Sequence, residues 1–569
     1  MIVMNLNYNA HNNHWLWSEV SKQKGDLGKA ASTNVIINLL QIFTSLYIMA
    51  VYNKVIPNQA ISSLVTLAIG IGIAVCFDYA FKLVKARIIN IACENIEKTL
   101  QPRLFKKVIS WDLQRRPKFS GSASTLLKDL DSIIDLFTNS SITTMINLPF
   151  VLVNLVVIFL IAGPLVVVTL LICILTASSS LYFYLKVKKA SAEVKSTTID
   201  KNSIFLEALA NLETLKSIAN YSFFEKKWQK IDDENRQVNA QLKIAVADSG
   251  SLNSFLVSLG QVGIVSFGAY LVVYGEISSG ALIASVILNG RTVQPIIQLT
   301  GLLQKYSIAK TGYDRLDQLF NSLSEEEKRR QNIRIPKISG EIAVDNLSFK
   351  PEGLNYPIFD APRLRIKNNE SIGIVGSVGS GKSTFLKLIA GVLTPSSGAI
   401  CYGSFDTSAI NQNDLRNNVS YMGQNPGVFG GSIRENIVFD RDDISDQQIL
   451  NAMSLTGMDT ILKRFPNGLS FQLSETGREL SGGQKQILAL TRCMVTDPSV
   501  LLLDEPTSAM DPKHENLFIK QMQSYTMEKT FIVVTHRRPI LALTDRIIVI
   551  EQGKIILDGK RDEILQKFK

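Results

Sequence analysis

Metal-ligating and disulfide chemistry is scarce in this chain, whose 569 residues hold five cysteines and four histidines. Cys76, Cys93, Cys173, Cys401 and Cys493 stand apart with no Cys-x-x-Cys spacing. That scatter suggests neither a zinc site nor a disulfide framework, and it suits a reduced, cytosolic side. His11, His14, His514 and His536 are too dispersed to read as a metal cluster. A cleavable signal peptide is missing too, because Asn7, Asn12, Asn13, Lys22 and Lys24 come before any long apolar run. No re-entrant filter segment of the kind a pore needs can be found.

Apolar residues, in contrast, make up 46% of the chain, and a mean hydropathy of +0.14 is high for a soluble protein of this size. The net charge of +10 suits either a nucleic-acid partner or the cytoplasmic segments of a membrane protein. Most of the positive charge lies beside apolar stretches, so the partner is the lipid bilayer and no nucleic acid is expected.

Apolar, helix-compatible runs at 35–51 and 61–81 flank a break at 54–57 and read as two spans with a short hairpin. Lys82, Lys85, Arg87, Lys98, Arg103, Lys106, Lys107, Arg115, Arg116 and Lys118 then place the following loop in the cytoplasm. Runs at 146–161 and 165–184 are separated only by Ala162, Gly163 and Pro164, and Lys186, Lys188 and Lys189 mark a return inside. A fifth and sixth run, at 252–274 and 281–303, complete six spans with both termini inside. The outer hairpins are a few residues long and the inner loops tens of residues. The spans are therefore expected to continue as helices into the cytosol and couple to a cytosolic engine. Asn38, Gln41, Asp78, Asn289 and Arg291 are intramembrane polar candidates for function or for interhelical bonding, with Arg291 foremost as a cavity-lining residue.

A charged stretch at 322–337, including Glu325 to Arg330, reads as a solvated linker. Beyond it, strand-like runs at 342–349 and 372–375 open an alternation of helix and strand, an α/β domain with a parallel sheet at its centre. Residues 376–384, Gly-Ser-Val-Gly-Ser-Gly-Lys-Ser-Thr, follow the second run and precede a helix-like stretch at 385–390. This is the phosphate-loop pattern in its confirming context. It arises by chance in roughly 2% of chains this long, given average glycine usage. Gly376, Gly379 and Gly381 turn backbone N–H groups inward, with Ser377, Val378, Ser380 and Thr384 completing the loop. Lys382 reaches the outer phosphates of ATP, and Ser383 is a ligand for Mg2+. The apolar run 500–503 ends in Asp504 and Glu505. It suits a strand covered on both faces, with Asp504 holding magnesium and Glu505 polarising the attacking water.

With these two motifs in place, Leu480-Ser481-Gly482-Gly483-Gln484 resembles the signature of the ATP-binding cassette (ABC) family. Tyr421 to Gln424 is similar to the family's Q-loop, Ser508 to Asp511 to its D-loop, and Thr535-His536 to its switch histidine. The resemblance implies that Gln424 senses magnesium and water and that His536 contacts the γ-phosphate. It also implies that Ser481, Gly482, Gly483 and Gln484, with Asp511, belong to an ATP site shared with the opposite subunit. The signature helix, 484–492, would offer N–H groups and a positive dipole end to phosphate. Relatives usually stack an aromatic residue on adenine just after Ser-Phe. Here Lys350 and Pro351 follow Ser348-Phe349, which leaves Tyr356 as the substitute or as a loop-packing residue.

One six-span domain and one cassette resemble a half-transporter, so a homodimer is implied. The span arrangement, residues 431–436 and the cross-talk loop at 474–477 are similar to exporters. The fold class implied is a membrane α-helical six-span exporter domain followed by an α/β P-loop ATP-binding cassette domain. Its boundaries are expected at 1–30 for an N-terminal cytoplasmic segment, 31–320 for the spans, 321–338 for the linker and 339–569 for the cassette. Residues 49–60, with echoes at 283–295 and 536–553, resemble type I secretion ATPases of the adhesin- and toxin-exporting kind. Those proteins work with a periplasmic adaptor and an outer-membrane channel to move a polypeptide out of the cytosol, which implies a place in the bacterial inner membrane. Many relatives begin with a cysteine-peptidase-like domain. About thirty residues precede the first span and no cysteine precedes Cys76, so no leader cleavage is expected in this subunit. Export of a lipid, drug or small peptide, and an ATP-switched membrane module without transport, are the competing functions.

Overall fold

A computed structural model describes residues 14–111, 125–137, 139–218, 220–321, 333–351 and 354–567. Asn7, His11, Asn12 and Asn13, the basic Arg115, Arg116 and Lys118, and the charge run 325–330 of the expected linker lie outside the described residues. The chain divides into a helical N-terminal unit and a C-terminal unit that holds the sheets.

The helical unit comprises α1 (Trp17–Lys22), α2 (Lys24–Ala50), α3 (Ile61–Ile109), α4 (Leu126–Ile134), α5 (Asn139–Ala162), α6 (Val166–Ala210), α7 (Leu212–Ser217), α8 (Ser222–Val273) and α9 (Ser279–Asn321). About 20 helical residues cross the ~30 Å hydrocarbon core of a bilayer. The 52 residues of α8 run about 78 Å at 1.5 Å per residue, so this helix extends far beyond any bilayer. The 49 of α3, 45 of α6 and 43 of α9 do the same, as the loop lengths require. Among the described residues, five segments are long and apolar enough to cross a membrane by length and composition. One of them, Leu126–Ala210, spans 85 residues and contains both α5 and α6. Gly163, at φ +45°, and Pro164, which opens a short 3-10 turn, break it between the two. The six apolar runs thus lie on six helices, α2, α3, α5, α6, α8 and α9, of a multi-pass membrane protein.

The first outer hairpin differs from the break expected at 54–57. A π-helical turn, Val51–Val55, carries α2 onward, with the Ile56 and Ala60 N–H groups donating to Val51 O (3.0 Å) and Val55 O (3.1 Å). Asn53 fixes this turn by donating to Ser278 Oγ at 2.7 Å and accepting from the Gly280 N–H at 2.9 Å. Outward-facing Ile61, Leu152, Leu160 and Val273 are exposed, the surface a membrane helix offers to lipid. Where helices meet, small residues let backbones approach. A Cβ on Gly260 would stand 2.8 Å from Ile172 Cγ1, and one on Gly268 would stand 2.2 Å from Leu282 Cδ1.

In the C-terminal unit, β7 (Gly431–Ser432) pairs with β8 (Gln472–Leu473) in a two-stranded sheet, while β4 (Ser397–Tyr402), β5 (Phe405–Asp406) and eight further strands form one ten-stranded sheet in the order β5-β4-β1-β2-β12-β11-β3-β10-β9-β6. Its central strands, β11 (Arg546–Glu551), β3 (Ser371–Val375), β10 (Thr530–Val534), β9 (Val500–Asp504) and β6 (Val419–Met422), are parallel. On the other side of β11, β12 (Lys554–Lys560) pairs with it antiparallel. β1 (Ile342–Phe349) and β2 (Phe359–Ile366) also pair antiparallel to each other. The parallel strands read as continuous apolar runs because each face meets a different core. In β9, Leu501 and Leu503 join Leu488, Leu490 and Phe518, while Val500 and Leu502 join Ile372, Ile374 and Phe385. A strand buried on both sides ends with its carboxylates at one sheet edge, which is how the fold delivers the chemistry of the site.

Candidate functional site

The loop after β3 is shaped by glycines that no other residue can replace cheaply. Gly376 has φ +153°, and a Cβ there would stand 1.9 Å from Ile550 O. Gly381, at φ +98°, caps helix α10 (Lys382–Ile389), starting it three residues earlier than the expected 385–390. Gly379, at φ +82°, has open space where its Cβ would be. The loop backbone therefore curls around a hollow that no side chain fills, and Ser380 Oγ is buried with no hydrogen-bond partner. Lys382, buried, donates to Gly376 O at 2.8 Å and Ser377 O at 2.7 Å. Its ammonium is thus held over the loop. Burial lowers the Lys382 pKa, opposed by Glu505, Asp504 and Glu551. A cradle of N–H groups with one buried cation fits a polyphosphate.

Sequence reasoning missed Glu551, which anchors this loop by accepting from Ser377 N (2.9 Å) and Ser377 Oγ (2.5 Å). Those bonds hold its carboxyl below the usual range. It closes an apolar strand as Glu505 closes another, and that parallel was the available signal.

Asp504 ends β9 fully buried. Burial raises its pKa, and a hydrogen bond from Ser383 opposes the rise. Ser383, Asp504 and Gln424 line one cleft of about 480 Å³. A hydroxyl, a carboxylate and an amide oxygen form the hard-oxygen set that magnesium takes, so these residues fit the expected ion. Glu505 sits in the left-handed region at φ +50°, a conformation that costs of order 1–3 kcal/mol for a residue with a side chain. It is fixed there by its own N–H donating to Val534 O at 2.9 Å and by the His536 N–H donating to its Oε1 at 3.1 Å. His536 Nε2 is 3.9 Å from the same oxygen. Burial raises the Glu505 pKa, with His536 opposing, so its carboxylate is more basic than one in water.

Helix α11 (Gly482–Met494), capped by Ser481, begins two residues before the expected 484–492. Ser481 and Gln484 form a capping box: Ser481 N donates to Gln484 Oε1 at 2.8 Å, and Gln484 N to Ser481 Oγ at 3.4 Å. The Gln484 side chain is occupied in shaping the helix start. Gly483 is required by crowding, because its Cβ would lie 2.7 Å from Ala509 O. Gln486, which sequence reasoning did not single out, ties this helix to the backbone of Glu505 and the segment after it. Its amide donates to Glu505 O (3.3 Å) and Ser508 Oγ (2.7 Å) and accepts from Ala509 N (3.0 Å). No sequence pattern distinguishes it from any other helical glutamine. Asp511 caps helix α12 (Pro512–Thr526) by accepting from His514 N at 2.8 Å.

Two expected contributors stand apart from the phosphate loop. Tyr356 is 62% exposed, with no ring contact among the described residues. Residues 481–484 make no hydrogen bond to 376–384 among the described residues, and the hydrophobic side chains of α11 and α10 pack into separate cores. Among the described residues of this chain, the cradle and the signature helix share neither a hydrogen bond nor a hydrophobic core.

Comparison with known proteins matches the helical unit and the sheet-containing unit separately. Residues 359–508 match the family described as ABC transporter, and residues 28–296 match the ABC transporter transmembrane region. The alpha-hemolysin translocation ATP-binding protein of Escherichia coli is 27% identical, covering 97% of this chain and 78% of that protein. The exotoxin translocation ATP-binding protein of Pasteurella aerogenes is 26% identical with the same coverage. A bacterial Atm1-family ABC exporter with ATP bound has the same fold, at a TM-score of 0.82 and 20% identity over 95% of this chain and 97% of that one. Membrane helices and a phosphate cradle on one polypeptide, each matched by its own part of a single family, show that the chain belongs to the ABC transporters, as an exporter half-transporter whose ATPase is coupled to transmembrane transport.

Proposed function

We propose that this protein drives export of a polypeptide across a bacterial inner membrane, as a homodimer working with a periplasmic adaptor and an outer-membrane channel. The observation that carries the reading is similarity to toxin translocation ATP-binding proteins over 97% of the chain, helices and cassette together. In this reading the 376–384 backbone and Lys382 bind the phosphates of ATP. Ser481 to Gln484 of a second copy closes over them, which supplies the partner that each half-site lacks. Ser383, Asp504 and Gln424 hold magnesium, which neutralises phosphate charge when bound.

Glu505 accepts a proton from the attacking water, a role suited to a carboxylate made basic by burial and aimed by the His536 N–H. His536 contacts the γ-phosphate, and Tyr356 stacks on adenine. Gln486 links the Glu505 main-chain carbonyl to Ala509, so closure at the signature helix is felt by the backbone that carries the carboxylate. The test is mass spectrometry of culture supernatant with and without the gene. One or more polypeptides should disappear from the deletion strain, and an unchanged secreted proteome would sink the proposal.

A further inference from the structure

Arg291 lies in the first third of α9 and faces a cavity of about 240 Å³ among α2, α5 and α9, wholly inside the helical unit. Its guanidinium donates to Gln41 O and, at 3.4 Å, to Ser45 Oγ. Asn38, Gln41, Asn154, Gln294 and Gln298 also line the cavity, and no carboxylate does. Asp78, on α3, acts electrostatically on Arg291 and is itself paired with Lys82 at 2.6 Å on its own helix.

Part of the polar lining is structural. Asn147 Oδ1 accepts from Asn34 and Asn38 at 2.8 Å each, and Gln298 Oε1 accepts from Thr144 at 3.1 Å. The rest is unspent. Among the described residues the amides of Gln41, Asn154 and Gln294 have no side-chain hydrogen bond, although Asn154 is only 8% exposed. Pro295, inside α9, has no N–H, so the Arg291 carbonyl also lacks its helical donor. Unpaired amides and an arginine carry a large penalty in an apolar bundle unless something satisfies them.

We propose that this cavity is a substrate subsite that takes an acidic side chain of the exported polypeptide on Arg291, with the adjacent peptide groups on the Gln41, Asn154 and Gln294 amides. The inference rests on the polypeptide reading above. The chemistry favours a peptide over a lipid headgroup because each amide offers both a donor and an acceptor, the complement of a peptide bond, whereas a phosphate uses donors alone. A guanidinium in a cavity lined by no carboxylate, with Asp78 outside the lining and engaged by Lys82, selects negative charge.

The experiment uses the full-length protein in phosphatidylcholine nanodiscs and two fluorescent decapeptides, identical except for Glu or Gln at four positions, read by anisotropy. Wild type should bind the Glu peptide about 10-fold more tightly than the Gln peptide, the scale of one charge-assisted hydrogen-bond pair. Arg291→Gln should bring the two within about 2-fold, Arg291→Lys should keep part of the preference, and Asn154→Leu should weaken both peptides alike. Retention of charge preference in Lys but not in Gln separates recognition from folding. A preference unchanged in Arg291→Gln, equal binding of both peptides by wild type, or binding of neither overturns the subsite. Displacement of the Glu peptide from Arg291 by added phosphatidylglycerol assigns the cavity to lipid and overturns it also. Failure of the polypeptide reading itself is seen separately, in the supernatant comparison, where no peptide probe is involved.

Discussion

Glu505 combines strain, burial and a directed hydrogen bond, and each is costly unless the carboxylate has a task. Replacing it with Gln keeps the shape and the His536 contact but removes the base. We expect ATP affinity to stay within about 2-fold while turnover falls at least about 100-fold, the usual worth of a positioned base. Nucleotide titration and phosphate release check the two halves, and turnover at the wild-type rate would remove Glu505 from its role. Lys382 behaves oppositely, because its ammonium is already held over the loop. Lys382→Ala should weaken ATP binding itself by roughly 10- to 150-fold, the value of hydrogen bonds to a charged group. Unchanged affinity would count against the cradle. The positions of these two residues, at the strand end and in the loop, were legible in sequence because motif chemistry attaches to residue type and spacing. Gln486 and Glu551 were not, since their importance lies in which distant backbone atoms they reach.

At the scale of elements, the strand carrying Asp504 and Glu505 was readable from its unbroken apolar run, and the structure supplies the reason in two separate cores. Helix ends were less readable. α10 and α11 begin earlier than the apolar pattern suggests, because Gly381 and the Ser481 capping box start them among polar residues. The first outer hairpin was misplaced for a related reason: the π-turn at Val51–Val55 continues α2 through residues that look like a break. The start of α11 also yields a prediction. A methyl group at Gly483 would press on Ala509 O, 2.7 Å from its Cβ, so Gly483→Ala must shift either the helix start or the segment that Gln486 holds. Phosphate-loop binding of ATP should persist while ATPase activity falls at least about 10-fold, read by the same two assays. Wild-type activity would show that this contact does not matter.

For the whole molecule, the separation of cradle and signature helix within one chain predicts complementation between copies. A Lys382→Ala protein and a Gly483→Ala protein should each be nearly inactive. Mixed dimers contain one site with both defects and one with neither if sites form between copies, so ATP turnover should reappear on co-expression. If each chain completed its own site, no intact site would exist and activity would stay absent. The multi-span architecture was visible in sequence because lipid imposes long apolar runs, and Asn38, Gln41 and Arg291 were legible as intramembrane polar residues, whereas the full lining of the cavity around Arg291 was not. It requires three helices to bring Asn38, Asn154 and Arg291 together across more than 250 residues of chain. The central claim, that turnover at this site moves a polypeptide, is tested most directly by supernatant mass spectrometry of a deletion strain complemented with wild type or with Glu505→Gln. The account predicts one or more secreted polypeptides that return with wild type and stay absent with Glu505→Gln at equal membrane levels. A supernatant identical in both strains would contradict it.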